Sequence, residues 1–249
     1  MNRTQTIVQR SAQWSRRMLP MLWSEAGLKN SKVVASTDDN LILIGSPEAE
    51  AVTRLLFGYE RGPGGVRRVA SAPDLPYYWL EDETKIEAWC RKFVAGVDGL
   101  VARPNWPVVD NTSLRPRLIY PNLTNEGLLA TDYLIITRTP NFLSARALQS
   151  GHRIVSIAGT HGVGTQGVEL LLRDRGELQK VADALAPRTE SFQVLARMSD
   201  IVHKPGQSSE ARKVEVLDVQ VIDSANRIWD NDVRAVGRRR AKWLSDFSD

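Results

Sequence analysis

Apolar residues follow two kinds of pattern along this chain. Short, nearly continuous apolar runs suit buried strands, and three stand out: Asn40–Ile44, Asp132–Arg138 and Arg153–Ala158. Helical spacing follows two of them. After the first, Ser46 is an N-cap candidate and Pro47 suits a first helical turn, so Glu48–Phe57 is predicted as a helix. After the third, a glycine-rich turn leads into a predicted helix over Thr165–Arg173. A further helix runs to about Leu185, with Leu178, Val181, Ala182 and Leu185 on one face and Pro187 just beyond. The period then changes. Phe192, Val194, Ala196 and Met198 alternate with more polar residues, as do Val214, Val216, Val219 and Val221. Two alternating runs around Pro205–Ser209 predict an antiparallel hairpin.

The intervening segments are less regular. Residues 58–81 hold Gly58, Arg61-Gly62-Pro63-Gly64-Gly65 and Ala72-Pro73-Asp74-Leu75-Pro76, too rich in glycine and proline for a regular element. A loop of that length suits a lid, a binding loop or a plain surface excursion. Residues 82–94 read as an amphipathic helix, with Cys90 as a buried thiol, and Arg117–Tyr120 as a strand ended by Pro121. Alternating strands and helices place the chain in the α/β class. The expected architecture is a Rossmann-like three-layer sandwich with a mostly parallel sheet and the appended C-terminal hairpin. Residues 31–223 would form this body, between an amphipathic helical segment over 1–30 and a basic helix over 224–249.

Charge changes the picture at those ends. The chain of 249 residues carries a formal charge of +4. Arg3, Arg10, Arg16 and Arg17 face no acid within residues 1–20, which therefore carry +4. Residues 234–249 carry +3, leaving −3 for residues 21–233. A central nucleic-acid cleft is not favoured, because such clefts need basic groups to displace counterions from phosphates. The ends predict docking on the chain's own body, on a protein partner or in a homo-oligomer. One cysteine excludes an internal disulfide and a thiolate zinc cluster, and fits a cytoplasmic protein. No apolar run is long enough for a transmembrane helix. His152, His161 and His203 lack the i, i+4 spacing of a helical metal site, so no metal is expected.

Candidate chemistry gathers where a parallel sheet would present its carboxyl ends. That rule selects Gly45-Ser46, Arg138-Thr139-Pro140-Asn141 and the stretch from Gly159 to Thr165. In the last, Gly162-Val163-Gly164-Thr165-Gln166-Gly167 has the spacing G-x-G-x-x-G after a strand, without the acidic residue expected on a following strand. Glycines let a ligand approach closely, and the amides opening a helix favour anions. A phosphate there would receive main-chain N–H groups and the hydroxyls of Thr160 and Thr165. His161 suits phosphate donation or acid/base work, Arg138 an anion clamp, and Asn141 the edge of a base or sugar.

The pairing of Gly45-Ser46 with a Gly-Val-Gly-Thr turn, opening a helix that carries Glu169, resembles the SLOG superfamily of Rossmann-like nucleotide-binding domains. Its cytokinin-activating phosphoribohydrolase branch has the pattern P-G-G-x-G-T-x-x-E. The resemblance implies that Gly45, Ser46, Gly162, Gly164 and Thr165 line a nucleotide's phosphate and ribose site. The leading proline is absent, His161 stands at the first family glycine, and Glu169 falls one residue beyond the family spacing. One residue rotates a helical side chain by about 100°. The resemblance therefore implies nucleotide binding more than nucleotide cleavage. The expected function is binding of a nucleotide or similar phosphorylated small molecule by a sensor or regulatory domain, with no other cofactor. A nucleotide or nucleoside hydrolase using His161 or Glu169 is the enzymatic alternative. A non-enzymatic module docking through its terminal helices is the third.

Overall fold

The computed structural model describes residues 7–9, 40–47, 53–54, 57–62, 65–68, 74–80, 107–141, 145–187, 189–203 and 208–222. The predicted helices over 82–94 and 224–249 lie outside these residues, as do Cys90 and most of the segment over 1–30. Of the predicted helix Glu48–Phe57, Thr53, Arg54 and Phe57 are described, and all three are helical.

Eleven strands are described. They are β1 (Ile7–Gln9), β2 (Leu41–Ile44), β3 (Tyr59–Gly62), β4 (Gly65–Arg68), β5 (Tyr77–Trp79) and β6 (Val108–Asp110), then β7 (Arg117–Ile119), β8 (Asp132–Pro140), β9 (Arg153–Gly159), β10 (Phe192–Val202) and β11 (Glu210–Val221). The helices with described bounds are short: α1 (Ala145–Gln149), α2 (Gly162–Gln166), α3 (Val168–Arg173) and α4 (Arg175–Ala184). A mixed six-stranded sheet has the order β1-β2-β9-β8-β10-β11; β3-β4 and β5-β6-β7 form separate antiparallel sheets.

This overturns the Rossmann-like sandwich. Strands occupy 45% of the described residues and helices 21%. Two physical reasons account for the error. First, the mostly parallel sheet expected from the sequence makes β8 and β9 parallel. The Asn141 amide donates to the His152 carbonyl at 2.8 Å, and the Thr160 amide to the Tyr133 carbonyl at 2.9 Å. Residue numbers run in opposite senses across these bonds, so the strands are antiparallel. The short connection, with one turn-and-a-half helix, lacks the packed crossover that a parallel pair needs. Second, the glycines and prolines of 58–81 punctuate strands rather than abolish them. Gly62 pairs with Gly65, and only Pro63 and Gly64 separate β3 from β4. Two-residue connections with glycine are the commonest hairpin loops.

The chain divides into two compact units, each containing part of β8 and of β9. The first comprises Met1–Asp74, Thr137–Ser156 and Asp223–Asp249. Here β1 runs parallel to β2, with Ile7 opposite Leu41 and Gln9 opposite Leu43. Ile7–Gln9 are thus strand where the spacing predicts helix, and two of the three are β-branched residues that favour strands. Leu41, Leu43, Phe57, Tyr59, Ala147 and Ile154 are buried. The Asn40 side chain accepts the Arg153 amide at 2.8 Å. Gly151, at φ +71°, adopts the left-handed geometry that ends α1.

The second unit comprises Leu75–Ile136 and Ile157–Ile222. Its centre is the antiparallel ribbon β10–β11, whose alternation sorts side chains to two faces. On one face Val194, Ala196, Met198, Val214 and Val216 pack with Leu134 of β8 and Leu171 of α3, joined by Val168, Leu178 and Val181 from the helices. On the other, the Gln193 amide group pairs with both main-chain groups of Tyr77, accepting from its N–H at 2.7 Å and donating to its carbonyl at 3.0 Å. The Tyr77 hydroxyl donates to Asp218. Burial, then this bond and the Asp218 charge, push the Tyr77 hydroxyl far above the ordinary tyrosine range. Leu217 is an extra residue in β11, because Leu195 faces Asp218 while Ala196 faces Val216. Next to this bulge Glu177 of α4 accepts the Val216 amide at 2.6 Å, tying the helix to the sheet's last strand.

Candidate functional site

The turn between β9 and α2 is built around a buried carboxylate. Asp132 opens β8 with no exposed surface. Its Oδ2 accepts the Gly164 amide at 2.5 Å and the His161 amide at 3.1 Å. Its Oδ1 accepts from the His161 ring at Nδ1, 3.0 Å away. Oxygens that already accept main-chain N–H groups accept from the ring as well, so Nδ1 carries the hydrogen. A second staple lies within the turn. Thr165 Oγ1 accepts the Gly159 amide at 2.8 Å and donates to the His161 carbonyl at 3.4 Å. The Thr160 amide extends the β8 pairing through Tyr133. Burial raises the Tyr133 hydroxyl above the ordinary range; Arg197 opposes this and the Asp132 charge adds to it.

The glycines of the turn differ sharply in what the fold demands of them. A Cβ at Gly159 would collide with the Thr165 amide and lie 2.5 Å from the Gly164 carbonyl carbon. One at Gly164 would strike the Tyr133 carbonyl and lie 2.8 Å from Asp132 Oδ2. One at Gly167 would run into the Met198 side chain. One at Gly162 would meet nothing within 4 Å among the described residues. Packing of the chain on itself therefore requires three of these glycines, and no described residue requires Gly162.

The donors divide in the same way. The His161 and Gly164 amides bond to Asp132. Among the described residues the Gly162 and Val163 amides, the His161 Nε2 and the Thr160 hydroxyl have no hydrogen-bond partner. The Thr160 side chain is on a residue only 6% exposed. The His161 side chain is 13% exposed. An anion expected from outside is thus matched, at two of the turn's donors, by the chain's own Asp132.

The residues singled out from sequence fall into two groups. Thr160, His161, Gly162, Gly164, Thr165 and Glu169 belong to the second unit. Within it Thr165 is engaged in stapling the turn. Glu169 is exposed on α3 and pairs with Arg173 at 2.5 Å, a surface ion pair of the kind worth well under about 1 kcal/mol. Gly45, Ser46, Arg138 and Asn141 belong to the first unit. There Gly45 is buried at φ +135°, a conformation that favours glycine for the backbone alone. Ser46 and Arg138 are half-buried, and Asn141 is fully buried as its amide closes the β8–β9 pairing. Among the described residues no group of three or more potential ligands gathers to hold a metal, and no helix is long and apolar enough to cross a membrane.

Sequence reasoning did not single out Asp132. Its signal was a charged residue opening an otherwise apolar strand, 29 positions before the histidine that it holds. Comparison with family models, with curated proteins and with solved structures finds no match for this chain.

Proposed function

We propose that the chain binds a nucleotide or a similar phosphorylated small molecule at the Gly159–Thr165 turn, as a sensor or regulatory domain. The observation that carries this reading is Gly162. Glycine is not required there by packing, because nothing among the described residues occupies the space a methyl group would take. A ligand oxygen brought close to the main chain needs that space. The amides of Gly162 and Val163, without partners among the described residues, supply donors beside it. Asp132, from behind, holds the turn in one conformation before any ligand arrives, so less ordering opposes binding.

The test is thermal denaturation against a panel of nucleoside mono-, di- and triphosphates. At least one is expected to raise the melting temperature of the native chain, since a ligand at 100 times its Kd stabilises by about 2.7 kcal/mol. Gly162→Ala should melt at the native temperature alone and lose the ligand-dependent rise. Gly164→Asp would be a poor probe, because its side chain would enter the space of Asp132 and unfold the turn. No rise with any compound would overturn the reading.

A further inference from the structure

We infer that Asp132 and His161 form an acid–base pair, and that this site hydrolyses the phosphate ester of its ligand as well as holding it; the inference rests on the binding reading above. Three observations carry it. The same buried carboxylate binds both the main chain and the ring of His161, so the imidazole cannot swing without losing its bond to Asp132. The bond at Nδ1 leaves Nε2 as the nitrogen available to a ligand, and it has no partner among the described residues. The neighbouring Thr160 hydroxyl is buried and has no partner among the described residues either. A buried polar atom without a partner costs roughly 1–3 kcal/mol. The Thr160 hydroxyl is one such atom, and with the neighbouring His161 Nε2 and the open Gly162 it marks a place that a bound polar molecule completes.

An imidazole oriented through Nδ1 by a carboxylate works through Nε2 as a base toward the attacking water. Nε2 takes a proton from water as the water oxygen forms a bond to phosphorus. The bond from phosphorus to the bridging oxygen breaks on the opposite side, its electron pair goes to that oxygen, which takes a proton from solvent, and Nε2 then gives its own proton to solvent. The ester and water become an alcohol and a phosphate, and the ring returns to its starting state. His161 is the catalytic residue. Asp132 is a positioning residue that fixes which ring nitrogen carries the hydrogen.

The experiment incubates the full chain with p-nitrophenyl phosphate and with the nucleotide panel, following released phosphate while thermal denaturation reports binding. The native chain is expected to turn over. His161→Gly should lose about 100-fold or more in kcat while ligand still raises the melting temperature, and added imidazole should restore part of the loss. Asp132→Asn should lower kcat with KM little changed, and should move the His161 ring signals in nitrogen-15 spectra. If Asp132→Asn fails to fold, His161→Gly with imidazole rescue still decides the matter. Compounds that raise the melting temperature yet stay intact would overturn hydrolysis and leave binding standing. Turnover equal in His161→Gly and the native chain would also overturn it. No binding by any compound would overturn both.

Discussion

Two histidines in the second unit are held in different ways. His203, just after β10, uses both ring nitrogens: Nε2 donates to the Leu129 carbonyl at 2.8 Å and Nδ1 lies 2.8 Å from the Ser209 hydroxyl. It is a tie between chain segments, complete without any further molecule. His161 is fixed at one nitrogen by Asp132 and has no partner at the other among the described residues. Residue type and local sequence do not separate the two. What separates them is the count of satisfied polar atoms, which only the folded chain supplies. The same accounting separates glycines that packing requires from the one that it does not.

The largest expected effect breaks the turn itself. Gly164→Ala pushes a methyl group against the Tyr133 carbonyl and the Asp132 carboxylate. It should destabilise the chain by about 3 kcal/mol, whereas Gly162→Ala should stay within about 0.5 kcal/mol of native. Urea denaturation of the two variants side by side checks this, and equal losses would remove the distinction between the glycines. A smaller effect sharpens the contrast between histidines. His203→Ala leaves the Leu129 carbonyl and the Ser209 hydroxyl without their partner. It should destabilise by about 1–2 kcal/mol and leave nucleotide-dependent melting shifts unchanged. A His203 variant that lost the shifts would make the tie part of the site.

Much of the local structure was legible in sequence. The apolar runs at 41–44, 132–138 and 153–158 are strands, and the alternating segments at 192–202 and 210–221 pair as one ribbon. The helix ending near Leu185 starts from Asp174, whose side chain accepts the amides of Gly176 and Glu177. Direction was not legible. A buried run of Ile, Leu and Val looks the same whether its neighbour runs parallel or antiparallel, and the Rossmann-like expectation depends on a parallel β8–β9 pair that the fold does not have. Hairpins were hidden for the opposite reason, since Gly62 and Gly65 look like disruption when read one residue at a time. Of the candidate site, the position and glycine content of the turn were legible. Its internal anion was not, because no local pattern links Asp132 to a residue 29 positions later.

The claim at the centre is that Asp132 organises the turn from behind while Gly162 and Val163 meet the ligand. Nitrogen-15 amide spectra recorded during a nucleotide titration test it most directly. The Gly162 and Val163 signals should move with ligand concentration, with the Gly164 amide held on Asp132 and moving far less. Movement at Gly164 with Gly162 and Val163 unchanged, or no movement at any of them with any nucleotide, would contradict it.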